Sequence, residues 1–324
     1  LPWIPHDDVI LPGRFAAMAD PQGNWDVSAD NIMFVAEEEA CAMTGLAAFD
    51  TGGVFSETLA KAILQRDLRE GDPRAPVDHP GEAWAKARAP FALDEGGALR
   101  VQITDLTARF NLNSLLRQGQ PNEAAVAQLR RLLLGLQIEA PYAERLLDWL
   151  DADDQPGGGY GAEDNQYLLA QPPYRAGNRE LKDVSELRLL LEMTEADYQR
   201  LSPYVSALPA DATLNVNTAS ARVLASVAEG LPLSTAQGLV AARGSEGYRD
   251  LPSFTAQLSG LQVQSQGLAV GSQYFQVLSE VTVGERRQVL RSTLQRASDG
   301  KLYVLARDLG QGGMPPAPVE EVEP

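Results

Sequence analysis

Two stretches of two-residue alternation bracket residues 112–265, where the hydrophobic period is helical. Leu99, Val101 and Ile103 alternate with Arg100 and Gln102, the pattern of a strand with one face buried. The alternation returns at Phe275, Val277, Val281 and Val283, and again at Leu290, Leu294, Leu302 and Val304. Gly284-Glu285 and Asp299-Gly300 separate these later runs, and Asp-Gly between alternating segments is a strong hairpin signal because both residues tolerate positive φ. The expectation is an α+β protein whose sheet begins, is interrupted by helices, and ends in a three-strand antiparallel meander.

Within the interruption, Val126, Leu129, Leu133 and Leu136 line one helix face, and after Pro141 the residues Ala143, Leu146, Leu147 and Leu150 line another. Further helices are expected from Asp183, Thr194, Thr218 and Ser234. Asp183-x-x-Glu186 and Ser234-x-x-Gln237 carry the reciprocal capping pattern. An earlier helix is predicted from Phe55 through Leu59, Ile63 and Leu68 to the stop at Gly71-Asp72-Pro73. Residues 1–54 hold turn signals and one acidic helix-like stretch near Glu37, and have no assigned role. Residues 311–324, rich in Gly, Pro and Glu, read as a loose tail.

With 27 Lys and Arg against 44 Asp and Glu, the net charge is −17, which disfavours polyanionic partners unless a local basic patch exists, and no dense Lys/Arg run is present. Cys41 is the sole cysteine, so no intrachain disulfide can form. His6 and His79 are too far apart in sequence for metal-ligand spacing, which weakens zinc and His-based catalysis. The longest apolar clusters, such as Leu132–Leu134, fall far short of the ~18 residues of a spanning helix. The chain itself is therefore expected to be soluble.

The helical region looks duplicated. Asn111-Leu-Asn-Ser-Leu115 is echoed by Asn215-Val-Asn-Thr-Ala219, and each is followed by two helical segments and a further cap, at Asp183 and Asp250 respectively. From Asn113 to Asp183 is 70 residues and from Asn217 to Asp250 is 33, so the first copy carries 37 extra, most of them in the acidic, Gly-rich stretch 151–179. The second copy resembles a helix-hairpin-helix unit, but its turn offers only Gly230 before Leu231-Pro232, and proline has no amide to give a phosphate.

In the inserted stretch, Asp148, Asp151, Asp153, Asp154, Glu163, Asp164 and Asn165 place seven oxygen-bearing side chains within eighteen residues around Gly157-Gly-Gly159. Ca²⁺ takes six to eight oxygen ligands, and a glycine-rich turn lets the chain wrap it. An EF-hand is not matched, because counting from Asp151 puts Pro156 at position 6 and Ala162 at position 12. A solvated acidic face is the alternative, and glycosidase chemistry lacks a recognisable sugar-binding aromatic cluster.

Val77-Asp-His-Pro-Gly-Glu-Ala-Trp84, Arg109-Phe-Asn-Leu-Asn-Ser-Leu115, Asp148-Trp-Leu-Asp-Ala-Asp153, Gly161-Ala-Glu-Asp-Asn-Gln-Tyr167, Pro173-Tyr-Arg175, Asp183-Val-Ser-Glu-Leu187 and Leu214-Asn-Val-Asn-Thr-Ala219 occur in that order. Together they resemble general secretion pathway protein K, the family of large minor pseudopilins of type II secretion. The resemblance covers about 55–313. It implies a pilin-like N-terminal helix on an antiparallel sheet, formed by 55–111 and 266–313, with a large domain of two helix-hairpin-helix-like halves, 112–265, inserted between strands. Residues 314–324 would be a flexible tail. It also implies a non-enzymatic role at the tip of the periplasmic pseudopilus with the minor pseudopilins I and J, and in starting its assembly. The family binds calcium, one or two structural ions, and carry-over assigns five ligands, Asp151, Asp153, Glu163, Asp164 and, inside the helix ending near Leu150, Asp148. Asp183 is read as a cap. The family location is the bacterial inner membrane facing the periplasm. Residues 1–54 do not match the family's apolar helix, so membrane attachment is expected only through a helix not seen in this chain. The competing readings are a helix-hairpin-helix nucleic-acid binder of the DNA-uptake type and a hydrolase using the acidic loop.

Overall fold

The computed structural model describes residues 45–72, 75–93, 97–258 and 260–309, and of residues 45–54 the backbone. The helix-like stretch near Glu37 and the tail lie outside the described residues.

The first helix, α1 (Gly45–Glu70), begins ten residues before Phe55 and runs through Gly52-Gly53. Two interior glycines cost a helix about 1 kcal/mol each, but extending an existing helix is cooperative, and the pair does not end it. Leu59, Ala60 and Leu64 form its buried stripe, on a five-stranded antiparallel sheet ordered β1 (Phe91–Leu93), β2 (Gly97–Asp105), β3 (Tyr274–Val283), β4 (Arg286–Arg296), β5 (Leu302–Asp308). The three-residue strand β1 has no period long enough to be read from sequence. In β2, Leu99, Val101 and Ile103 are buried as their alternation predicts, with Leu99 opposite Val281 and Ile103 opposite Val277. The meander β3–β4–β5 follows the expected turns, with Gly284 at φ 58° and Gly300 at φ 78°. Leu59 packs on this protein's own sheet, with Ile63 against the same core. Glu57, buried on α1, accepts hydrogen bonds from Nε and Nη2 of Arg307 on β5 and from the Ser292 hydroxyl on β4, so the helix is also ion-paired to the sheet.

Between β2 and β3 the chain builds α2 (Glu123–Gly135), α3 (Tyr142–Leu150), α4 (Asp164–Tyr167), α5 (Glu195–Leu201), α6 (Ala221–Ala225), α7 (Leu233–Ala242) and α8 (Leu251–Thr255). These divide between two cores: one from Phe110 to Val205 around Tyr142, Leu146 and Tyr167, and one from Leu214 to Leu268 around Leu224 and Phe254.

The duplication is structural. Asn113 is buried; its Nδ2 donates to Leu181 O at 2.9 Å and Leu208 O at 2.8 Å, and its Oδ1 accepts from Leu181 N at 2.9 Å. Asn217 repeats this with Tyr248 O at 3.0 Å, Val270 O at 3.2 Å and Tyr248 N at 2.6 Å. Each asparagine therefore clamps the residue two before the next cap, Asp183 or Asp250. Each copy also opens on a two-residue parallel ladder, Phe110–Asn111 with Val205–Ser206 and Leu214–Asn215 with Leu268–Ala269.

Three expected helix starts are corrected. Asp183 makes its capping box with Glu186, but the turn it starts, Val184–Leu189, is a 3-10 helix. Helix α6 begins at Ala221 under a Ser220 cap, because the Thr218 hydroxyl donates to Asp105 Oδ2 at 2.5 Å. Helix α7 begins at Leu233 after Pro232, so Ser234 lies inside it and caps nothing.

The two halves and the sheet meet at a buried polar junction. Asp105, at the end of β2, accepts from Thr107, Thr218 and Ser272. Asn215 donates to Asp78 O at 3.0 Å and Ser272 Oγ at 2.8 Å. Burial pushes the Asp105 carboxyl up, and its hydrogen bonds pull it back only in part.

Candidate metal centre

Helix α3 presents Asp148 in its last turn, on the side facing the acidic loop. The residue is 1% exposed, and Gly157 N donates to both its oxygens, at 3.1 and 3.0 Å. The loop thus closes back on the helix that it leaves. This approach demands glycine. A Cβ on Gly157 would lie 2.7 Å from Asp148 Oδ1, and one on Gly161 would lie 2.1 Å from Oδ2. The flexible turn expected at Gly157-Gly-Gly159 is in this sense a close-contact turn, and Gly161, beyond it, is a second required glycine.

After the turn, Gln166 accepts from Glu163 N at 3.0 Å, the returning half of a capping box that opens α4. Glu163 itself is 1% exposed, and both of its carboxylate oxygens are buried without a hydrogen-bond partner. Asp151, the residue that ends α3, also has a buried, unpartnered oxygen, Oδ1. Asp148, Asp151 and Glu163 each place one carboxylate oxygen within 4.8 Å of the other two. Oxygens sharing one Ca²⁺ shell at 2.3–2.6 Å from the ion can be at most about 5 Å apart, so these three oxygens fit a single ion. The donor set is all oxygen and anionic, the preference of a hard divalent cation.

The electrostatics agree. Burial, then the charges of Asp148, Asp151, Asp153 and Asp154, push Glu163 up to about 7. Burial, Asp153 and Asp148 push Asp151 up to about 6. Burial also raises Asp148, against the lowering effect of the Gly157 amide. Like charges held this closely with no cation resist ionisation together.

Of the five residues named from sequence, Asp148, Asp151 and Glu163 come together. Asp153 is exposed at the rim, with its Oδ1 accepting from Gln155 N at 2.8 Å. Asp164 is directed elsewhere: Oδ2 accepts from Arg175 at 2.6 Å and Oδ1 from Ala176 N at 3.0 Å. Asp164 thereby ties down the irregular segment in which Gly177 sits against the Trp149 indole. Sequence reasoning missed Asn178, whose Nδ2 donates to Asp153 O at 3.2 Å while its Oδ1 is buried and unpartnered. Asn178 adopts φ +43°, a region that asparagine tolerates better than most residues, and nothing in the sequence marks that conformation.

The hairpin between α6 and α7 turns through Gly230 at φ 71°. The arginines around it serve the fold: Arg243 donates to Ala219 O at 2.7 Å and Arg131 to Ser226 O at 2.7 Å.

Residues 108–210 and, separately, 214–277 match family models described as type II secretion system (T2SS), protein K. The second match opens at the repeat boundary read from the Asn-x-Asn motifs. Type II secretion system protein K of Pseudomonas aeruginosa is 57% identical over 267 residues, covering 80% of this chain and 80% of its own. That of Klebsiella pneumoniae is 40% identical over 260 residues, covering 74% and 78%. Among solved structures, a chain in the GspK-GspI-GspJ complex from the enterotoxigenic Escherichia coli type 2 secretion system is 29% identical with a TM-score of 0.70, covering 80% of this chain and 94% of that one.

Proposed function

The chain belongs to the type II secretion system protein K family, and from that premise we propose that it is a structural minor pseudopilin of the secretion pseudopilus. In this reading it caps the periplasmic tip together with minor pseudopilins I and J and helps to start assembly. The observation that carries the proposal is the likeness, over 80% of this chain and 94% of the other, to a chain from the GspK-GspI-GspJ complex. The order of elements supports it. Helix α1 lies on an antiparallel sheet in the manner of a pilin, and the two helical halves leave that sheet after β2 and rejoin it at β3. The pilin-like part would supply the partner surface, and the helical domain would face outward.

The acidic loop supports a structural ion and no catalysis. Asp148, Asp151 and Glu163 would hold Ca²⁺, with Asp153 beside them. Bound there, the ion supplies positive charge and rigidity to a loop that otherwise buries mutually repelling carboxylates. A hydrolase would need an acid or nucleophile open to substrate, whereas Asp148 and Glu163 are sealed under the turn. The nucleic-acid alternative is disfavoured by the charge of −17 and by arginines that donate inward at the hairpin. The location that follows is the inner membrane facing the periplasm. Among the described residues no helix is long and apolar enough to cross a membrane.

The test is assembly. Mixed with the globular parts of pseudopilins I and J from its own system, the protein is expected to co-elute in size-exclusion chromatography as a ternary complex, and to restore export in a strain lacking its protein K. Failure of both would refute the reading, and a salt-dependent gel shift on short duplex DNA would favour the alternative.

A further inference from the structure

We infer a second divalent-cation site, separate from the acidic loop, at the seam between the C-terminal end of α1 and the segment Val77–Trp84, held by Asp67, Asp78 and Glu82. One carboxylate oxygen of each lies within 4.8 Å of the other two, again the span of one Ca²⁺ shell.

The carboxylates are built in. Asp78 is 1% exposed. Its Oδ2 accepts from Ser272 N at 2.7 Å and from Arg296, while its Oδ1 is buried with no partner at all. Glu82 divides in the same way. Its Oε2 accepts from His79 N at 3.0 Å and from the Trp84 indole at 2.6 Å, leaving Oε1, which has His79 Nε2 at 3.6 Å. On both residues one oxygen anchors the segment and the other is left to ligate. A buried carboxylate oxygen with no donor is costly, and a cation is the partner that satisfies it.

Charge points the same way. Arg296 is the guanidinium in contact with the cluster, so three carboxylates and one arginine leave two negative charges, which one divalent ion neutralises. Arg88, nearby, donates to Ala83 O at 2.8 Å. A cavity of about 380 Å³ whose wall includes Asp67, Glu82, Arg88 and Arg296 gives an ion its path and the water that completes its shell. Burial, then the charges of Glu82 and Asp78, push Asp67 up to about 7, the response of an acid crowded by like charges.

The consequence is mechanical. Asp78 N donates to Val270 O at 3.0 Å and Asp78 O accepts from Asn215, so the segment is fastened to the second helical half. Asp67 belongs to α1. An ion shared by the three would add an electrostatic tie between the helix end and the inserted helical region, beside the core that Trp84 shares with Leu59 and Leu64.

The experiment is equilibrium dialysis of the full chain against Ca²⁺, with bound metal counted by plasma mass spectrometry for the wild type, Asp67→Asn and Glu82→Gln, each checked for native far-UV circular dichroism. Each folded variant is expected to hold one Ca²⁺ fewer per chain than the wild type. Should Glu82→Gln not fold, Asp67→Asn decides alone, since Asp67 is partly exposed on the helix. Unchanged stoichiometry in folded Asp67→Asn overturns the inference. An Asp151→Ala/Glu163→Ala background separates the two sites: the seam ion is expected to persist there and to vanish on adding Asp67→Asn, and a background that binds no calcium overturns it.

Discussion

Replacing Glu163 by glutamine is expected to stabilise the protein when calcium is removed and to leave it less stable than the wild type when calcium is present. Glu163 is 1% exposed, has no hydrogen-bond donor, and sits among Asp148 and Asp151. Burial and those neighbours carry its pKa from 4.5 to about 7. An acid whose folded pKa is raised binds its proton more tightly in the folded state. Its contribution to stability is therefore fully present below about pH 4.5 and is lost as pH rises through about 7. Above that, the ionised residue opposes folding. The full shift corresponds to about 3 kcal/mol at 1.36 kcal/mol per unit, and water at the loop surface screens part of it, leaving on the order of 1–2 kcal/mol. Glutamine removes the charge, keeps the shape, and can donate to the neighbouring carboxylates. In EGTA at about pH 8 the variant should thus melt about 2–6 °C higher than the wild type. A ligand that binds only the folded state adds RT ln(1 + [L]/Kd), about 2.7 kcal/mol at 100-fold excess over Kd, or about 5–10 °C for the wild type. With one of three carboxylates gone, the variant should gain little from the loop site, the seam ion adding equally to both proteins, and the order of the two melting temperatures should reverse. Scanning calorimetry of both proteins with EGTA and with millimolar Ca²⁺ checks this. If the variant melts below the wild type in EGTA, or rises equally with calcium, Glu163 is not a ligand and the charge argument fails.

Gly161→Ala should cost about 1–3 kcal/mol and remove the acidic loop's share of the calcium response, because its Cβ would sit 2.1 Å from Asp148 Oδ2, whereas Gly159→Ala meets nothing within 4 Å and should stay within about 0.5 kcal/mol in the same melts. Asn113→Ala and Asn217→Ala should each lose about 2–4 kcal/mol in urea titrations, since each strands a buried amide and buried carbonyls; a large loss at one site only would contradict their equivalence. Burial alone would raise the Glu57 pKa, but hydrogen bonds from Arg307 and Ser292 outweigh it and hold the carboxyl below its usual range. Its stabilising effect is thus present above about pH 4.5 and lost as pH falls through the lower folded value, so Glu57→Gln should flatten the acid side of the stability profile and weaken the protein by about 1–3 kcal/mol at neutral pH.

Strand β2 was legible because one of its faces is buried more deeply than the other, so each side chain's side of the sheet is written in a two-residue period, and the Asp299-Gly300 turn carries its own conformational signature. The Asn-x-Asn repeat was legible for a related reason: each asparagine does the same local work, so the same letters recur. Where a residue's role depended on a distant partner, local pattern misled. Thr218 looked like a cap and is instead held by Asp105, 113 residues away. Asp164 looked like a ligand and is held by Arg175 and Ala176 N.

Composition alone marked 151–179 as acidic and glycine-rich and so located the candidate metal centre, because a run of carboxylates around a glycine turn is a local property. Which oxygens stay free was decided by tertiary contacts, as the turn closed on Asp148 and Arg175 drew Asp164 aside. Asp67, Asp78 and Glu82 show the limit most clearly. Spread over sixteen residues with no metal-binding spacing, they become neighbours only when α1 and the Val77–Trp84 segment pack against the same sheet. Charge and period act along the chain and can be read there, whereas a cluster of facing carboxylates, some with an oxygen left without a donor, exists only once non-local packing has assembled it.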